Sequence, residues 1–289
     1  MKSNAKKFDQ FYTRKDIAED CFRKAVERYG ADAFFVEPSA GTGAFLMDGY
    51  DFYACDIEPK DSRIHRKDFL KDDISEELPK DRTIVTVGNP PFGHKSAIAV
   101  QFLNKALSFS KAVCFILPIQ FRKYITQKTV NETAMLVLDE TLETEAFIHK
   151  GKPYSVRCCF QIWENDSCQK DLRMRTPPRT SHPDLLLYQY NQTPETEKYF
   201  DKERFRWDFA ILRQGYGDYS RKETDPDALK RNRQWIFLGA RNEEALEILR
   251  NIDFKKLSEK NTTIPGFGKA DVVAEYERIK KPVEISDFF

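Results

Sequence analysis

Asn89-Pro90-Pro91-Phe92 follows an apolar run at residues 83–87, and residues of these types in this order could activate an exocyclic amine. The amino nitrogen of adenine shares its lone pair with the ring and is a poor nucleophile, so a catalyst has to draw that density back onto nitrogen. Two acceptors fixed beside the NH2 would do so: the side-chain oxygen of Asn89 and the backbone carbonyl of Pro90, in a loop stiffened by two prolines. Phe92 adds a flat face. A base inside a duplex would first have to leave the stack, and an aromatic wall beside acceptors at the base edge suits a flipped-out purine. An amide side chain is no proton sink, so the role expected of Asn89 is polarisation rather than general-base catalysis.

Further residues able to hold a ligand fall upstream at intervals. Ala33-Phe34-Phe35-Val36 reads as a strand, Glu37-Pro38-Ser39-Ala40-Gly41-Thr42-Gly43 as a small-residue turn that admits a ligand close to the backbone, and Ala44-Phe45-Leu46 as a helix start. A second strand, Phe52-Tyr53-Ala54-Cys55, ends at Asp56, close to the spacing at which an acidic residue after the second strand holds ribose hydroxyls. Asp68-Phe69 follows a basic stretch. Beyond Phe92 a helix is expected at about residues 96–108 and a strand at residues 112–117, closed by Pro118. Strands separated by helical stretches predict an α/β fold, a Rossmann-like doubly wound parallel sheet with helices on both faces. The site segments then fall at successive strand ends, where open α/β sheets bind ligands.

Over about the first 165 residues these blocks resemble the S-adenosylmethionine-dependent N6-adenine methyltransferases that carry an Asn-Pro-Pro-Phe catalytic loop. Phe11-Tyr12-Thr13 with Ile17-Ala18 is similar to the family's N-terminal block, which lines the methionine end of the cofactor, although the usual Thr-Pro is Thr13-Arg14 here. The turn at residues 37–43 is similar to the family's cofactor loop. The resemblance implies Glu37 near the methionine ammonium, with Ser39 in the same turn and close approach at Gly41 and Gly43. It implies Asp56 on the ribose with Ile57 beside it, Asp68 accepting from the cofactor's amino group, and Phe69 stacking on its adenine. Asn89, Pro90, Pro91 and Phe92 match the catalytic loop, with Asn89 also bordering the cofactor.

Cofactor blocks ahead of the catalytic loop and a long C-terminal remainder resemble the gamma class of DNA amino-methyltransferases. That order implies a second aromatic on the opposite face of the flipped base, with Phe147 the first choice and Tyr154 the reserve; either ring could equally pack the sheet edge. The function implied is methyl transfer to the N6 amine of adenine in DNA, as in restriction-modification. RNA is the runner-up substrate, and N4-cytosine or a protein amide presents a similar planar NH2. A non-catalytic nucleic-acid-binding module is the contrasting reading, against which the intact glycine turn and catalytic loop both argue. C5-cytosine chemistry does not fit, because it needs a thiol and no Pro-Cys loop follows a strand.

Composition bounds these readings. A chain of 289 residues suffices for one sizeable α/β domain plus a smaller one, and a net charge of +1 means that positive charge for nucleic acid has to be gathered locally. The first residues hold no apolar signal core and no later run is long enough to cross a bilayer, so a cytoplasmic protein without membrane contact is expected. Cys21, Cys55, Cys114, Cys158, Cys159 and Cys168 lack metal-binding spacing, as do His65, His94, His149 and His182, so neither disulfide nor metal is expected.

After Trp163 the chain turns polar and residues 176–183 are rich in turn formers, which divides it into a catalytic domain at 1–165 and a smaller C-terminal α+β target-recognition region at 166–289. That region interleaves basic residues with rings, in Arg204-Phe205-Arg206-Trp207-Asp208-Phe209, Arg213-Gln214-Gly215-Tyr216-Gly217-Asp218-Tyr219-Ser220-Arg221-Lys222 and Lys230-Arg231-Asn232-Arg233-Gln234-Trp235. Such a mixture suits phosphate and base contacts, or equally a solvated face over core aromatics. The choice between monomer and dimer stays open.

Overall fold

A computed structural model of the chain describes residues 12–143, 145–149, 152–260 and 264–280. Two compact units follow one another, Met1–Thr176 and Pro177–Phe289. The first contains β1 (Tyr12–Thr13), α1 (Lys15–Tyr29), β2 (Phe34–Glu37), β3 (Phe52–Asp56), β4 (His65–Arg66), β5 (Ile84–Gly88), α2 (Ala97–Leu107), β6 (Ala112–Pro118), α3 (Tyr124–Gln127), β7 (Ala134–Thr141), β8 (Phe147–His149), β9 (Lys152–Tyr154) and β10 (Cys158–Asn165).

Seven of these strands form one sheet in the order β4-β3-β2-β5-β6-β10-β7. Pairing is parallel from β4 to β6. β10 runs antiparallel to both β6 and β7, so the expected doubly wound sheet is mostly rather than wholly parallel. All of β6 is buried, the pattern of a strand covered on both faces. Val113, Phe115 and Leu117 join Ala99, Phe102 and Leu103 of α2 in one cluster. Ala112, Cys114 and Ile116 join Ala18, Cys21, Phe22 and Ala25 of α1 in another, and that i, i+3, i+4, i+7 spacing is why α1 lies on the sheet with one face. The chain order reverses between β2 and β5, which creates a switch point at their carboxyl ends. β1, β8 and β9 make a separate small sheet, with Thr13 opposite Phe147 and Phe147 opposite Tyr154.

Two expectations are corrected here. The helix start at residues 44–46 is a series of turns. Gly43 (φ 77°) and Gly49 (φ 87°) both hold left-handed backbone, and the stretch between them is too short for a stable helix. The boundary lies at Thr176/Pro177 rather than after residue 165, because residues 171–175 are laced back onto the first unit. Arg173, only 9% exposed, donates to the carbonyls of Gln127, Val130, Asn131 and Ala134 at 2.6–2.9 Å.

The second unit contains β11 (Leu185–Tyr190), α4 (Pro194–Glu197), β12 (Phe209–Gln214), β13 (Gln234–Ala240), α5 (Glu243–Asn251), α6 (Phe254–Ser258) and α7 (Lys269–Lys280). Its sheet is antiparallel in the order β11-β13-β12. Ile236 and Leu238 face a cluster with Leu249, Phe254 and Val272 from the three later helices, while Phe237 faces Tyr190, Phe200 and Trp207. Half of the rings of the basic-aromatic runs are therefore core: Trp207, Phe209 and Tyr219 are each under 5% exposed, while Phe205 and Trp235 are partly buried against the same clusters. Among the described residues no helix is long and apolar enough to cross a membrane.

Candidate active site

The ends of β2, β3 and β5 open on a cavity of about 570 Å³. This is the switch point of the sheet, where the topology leaves a crevice between neighbouring loops. The end of β2 supplies Glu37 and the turn after it Ser39 and Gly41; the end of β3 supplies Asp56 and Ile57; Asp68 and Phe69 close one wall; Asn89, Pro90, Pro91 and Phe92 close another. Tyr12 and Thr13 complete it, and Phe11 lies outside the described residues. Gly43 lies off the cavity: a Cβ there would come within 3.1 Å of Leu46 Cδ1, so it serves the turn and not a ligand's approach.

Backbone hydrogen bonds fix these elements to one another. Asp56 accepts from the N–H of Gly41 through Oδ2 and from the N–H of Glu58 through Oδ1, both at 2.8 Å, and so ties the glycine turn to β3. Gly41 has φ 52°, and a Cβ on it would meet the Tyr12 ring at 3.2 Å, which is the close packing that a side chain would deny. Ser39 Oγ donates to the carbonyl of Asn89 at 3.2 Å, joining the turn to the catalytic-type loop. Gly88, at φ 144°, lets that loop pass beside Glu37, whose Cγ would lie 3.3 Å from an added Cβ.

Glu37 is 2% exposed, and its Oε2 is buried without a hydrogen-bond partner among the described residues. Burial, with the charge of Asp56 adding to it, raises its carboxyl well above the usual carboxylate range. A buried, unsatisfied carboxyl facing a cavity is the arrangement that a cationic ligand group would complete. Asp68 differs: a hydrogen bond from Lys71, with Nζ at 2.8 Å, holds its carboxyl below its ordinary value, so it stays an acceptor. Phe69 is 1% exposed yet borders the cavity.

The two base-wall candidates differ in exposure. Phe147 is fully buried and its ring meets Phe92 edge-on, with centroids 6.3 Å apart at 82°, so it offers no open face to a base. Tyr154, opposite it in the hairpin, is 39% exposed. Sequence reasoning missed Ile98, Gln101 and Phe102, which bring one face of α2 to the cavity. Their i, i+3, i+4 spacing was the available signal, but it reads equally as core.

The donor set fits S-adenosylmethionine. It offers a buried carboxyl for an ammonium, a carboxylate at the end of the second strand for a ribose, and an acid-aromatic pair for an adenine. Residues 48–169 match the model of the EDM2 methyltransferase-like domain; that stretch contains Asp56, Asp68 and Asn89 and leaves Glu37 outside. Over that stretch the chain is similar to a methyltransferase-like domain. No curated protein matches. Similar solved structures include a candidate RNA methyltransferase from Pyrococcus horikoshii (16% identity, TM-score 0.40, covering 55% of this chain and 88% of that one). A methyltransferase subunit of a type I restriction-modification system from Streptococcus thermophilus gives 15% identity and a TM-score of 0.45, covering 55% of this chain and 45% of that one. The type IIL restriction-modification enzyme MmeI in complex with DNA gives 11% identity and a TM-score of 0.46, covering 89% of this chain and 64% of that one.

Proposed function

We propose that the chain transfers a methyl group from S-adenosylmethionine to the N6 amine of adenine in DNA, on a base turned out of its stack. The observation that carries this reading is that Asn89, Pro90 and Phe92 border the same cavity as the buried, unsatisfied carboxyl of Glu37. Glu37 would take the ammonium, Asp56 the ribose hydroxyls, and Asp68 with Phe69 the adenine of the cofactor. When bound there, S-adenosylmethionine supplies a methyl group on a sulfonium, a leaving group that needs no acid.

The chain's own task is to prepare the amine. Asn89 Oδ1 and the Pro90 carbonyl accept from the two N–H groups, which pulls lone-pair density back onto N6. Phe92 holds the base against rotation, and the proline-stiffened loop keeps the amine in place, so that positioning contributes much of the acceleration. The N–CH3 bond would form as the S–CH3 bond breaks and the neutral thioether leaves, and the methylated amine would shed a proton to solvent without a dedicated base. The second unit is the proposed target-recognition region.

Incubation with methyl-labelled S-adenosylmethionine and separate pools of duplex DNA, single-stranded DNA and RNA, then digestion to nucleosides and mass spectrometry, tests the reading. Labelled N6-methyladenine from DNA is the expected result. The same nucleoside from RNA alone moves the substrate, and no labelled nucleoside from any pool sinks the proposal.

A further inference from the structure

The second unit spends its rings on its own interior, and Tyr216 stands apart. At 71% it is the most exposed of the large apolar side chains among the described residues. Its backbone, by contrast, is pinned. Gly215 turns at φ 109°, its N–H donates to the Pro265 carbonyl at 3.0 Å, and its carbonyl accepts from the Tyr219 hydroxyl at 2.7 Å. The Tyr216 carbonyl accepts from Arg233 Nη1 at 3.0 Å. A Cβ on Gly217 would come within 2.7 Å of Leu212 Cδ2, so the loop lies directly on the end of β12. A ring presented to solvent on a held loop loses little conformational freedom when something stacks on it.

Arg213, three residues earlier, supplies an independent observation. Its Nε is buried without a hydrogen-bond partner, and its Nη1 donates to the neutral amide oxygen of Gln234. Among the described residues it forms no ion pair. Asp271, whose charge it feels, is engaged by the Gly268 N–H at 2.8 Å and by Lys260 at 3.8 Å. A buried guanidinium nitrogen with no hydrogen-bond partner and no ion pair is a costly arrangement that an anion would relieve. Arg233 is exposed, also without an ion pair among the described residues, and its Nη1 lies 3.5 Å from where a Cβ of Gly215 would sit. Two arginines without an ion pair among the described residues and one exposed ring thus belong to, or lie beside, a single glycine turn.

We propose that this corner, formed by Arg213, Gly215, Tyr216 and Arg233, binds one nucleotide unit of an unpaired nucleic-acid strand, with its phosphate on the guanidinium groups and its base on the Tyr216 ring. The assignment rests on the nucleic-acid reading above and adds where the strand is held and in which form. An open aromatic face engages an unstacked base, so single-stranded or locally opened nucleic acid is the form that fits.

The test uses the full chain and a fluorescently labelled oligodeoxynucleotide, single-stranded and as a duplex, with inorganic phosphate and AMP measured by calorimetry. Tyr216→Ala is expected to weaken single-strand affinity about tenfold, while Tyr216→Phe stays within about twofold of the wild type. Arg233→Gln is expected to lower the slope of log K against log salt by about 1. Arg213→Gln could disturb folding, whereas Tyr216 is exposed, so an unchanged melting curve separates its binding loss from unfolding. Unchanged affinity in Tyr216→Ala, equal losses in Tyr216→Ala and Tyr216→Phe, or binding of inorganic phosphate alone would overturn the proposal. A wild type that methylates no nucleic acid yet binds it through Tyr216 and Arg233 removes the methyl-transfer reading and leaves this one standing.

Discussion

Replacing Glu37 with glutamine separates the cost of an empty site from the gain of a filled one. The carboxyl is 2% exposed with Oε2 unsatisfied, and burial holds its pKa well above the usual range. Over a span of pH above about 4.3 the unfolded chain has released this proton while the folded chain retains it. The folded state then binds one proton more than the unfolded state, so the contribution of Glu37 to stability is complete below the unfolded pKa and falls as pH rises towards the folded one. Within that span the slope approaches about 1.4 kcal/mol per pH unit. In a chain of this size that is a melting-temperature difference of roughly 3–5 °C for each pH unit. Glu37→Gln has no proton to lose, so its melting temperature is expected to gain on the wild type as pH rises, whatever constant offset its amide brings. Thermal unfolding of both proteins from pH 4 to pH 8 reads the difference, in which all other titrations cancel. An ammonium-bearing cofactor takes the ionised carboxylate, so calorimetry in buffers of different ionisation enthalpy is expected to show about one proton released by the wild type and none by Glu37→Gln. A stability gap that does not change with pH, or equal proton release from both proteins, refutes the reasoning.

Asn89→Ala is expected to lower turnover by roughly 100-fold or more while cofactor affinity by calorimetry stays within a few-fold, because the lost acceptor acts on the amine. Asp56→Ala removes the carboxylate that holds both the Gly41 and Glu58 N–H groups, so cofactor affinity is expected to fall roughly 10- to 100-fold with base selection unaltered. Phe147→Ala empties a fully buried site and is expected to cost about 3–5 kcal/mol in urea unfolding, whereas Tyr154→Ala leaves stability nearly unchanged and weakens the target complex. Arg173→Ala removes a buried donor shared by the carbonyls of Gln127, Val130, Asn131 and Ala134, and a loss of roughly 2–4 kcal/mol is expected in the same assay.

The parallel core was legible because its strands are short apolar runs ending in residues of special type, and burial on both faces needs just such runs. Glu37, Asp56, Asp68 and Asn89 could be placed around one crevice because strand ends in an open sheet converge. What escaped was decided by tertiary contact. The turns at residues 44–46 depend on left-handed backbone at Gly43 and Gly49, a property of each residue's surroundings as well as its type. Arg173 looked like one more basic residue in a polar stretch, and only the fold brings four carbonyls to it. Phe147 and Tyr154 are both aromatics near the same hairpin, and only packing decides which of the pair faces solvent.

The hydrogen bonds around the cavity also bear on how its two halves communicate. Ser39 reaches from the turn after β2 to the Asn89 carbonyl, and Gly88, the residue before Asn89, is glycine where Glu37 Cγ presses against the chain. Asp56 reaches from β3 to the same turn. Glu37 therefore lies against the strand end that leads into Asn89, and both are tied to the turn between them. Filling of one half, as proposed, would bear on the other through contacts already in place. That closeness accounts for glycine at Gly41 and Gly88: a Cβ there would press on the Tyr12 ring or on Glu37.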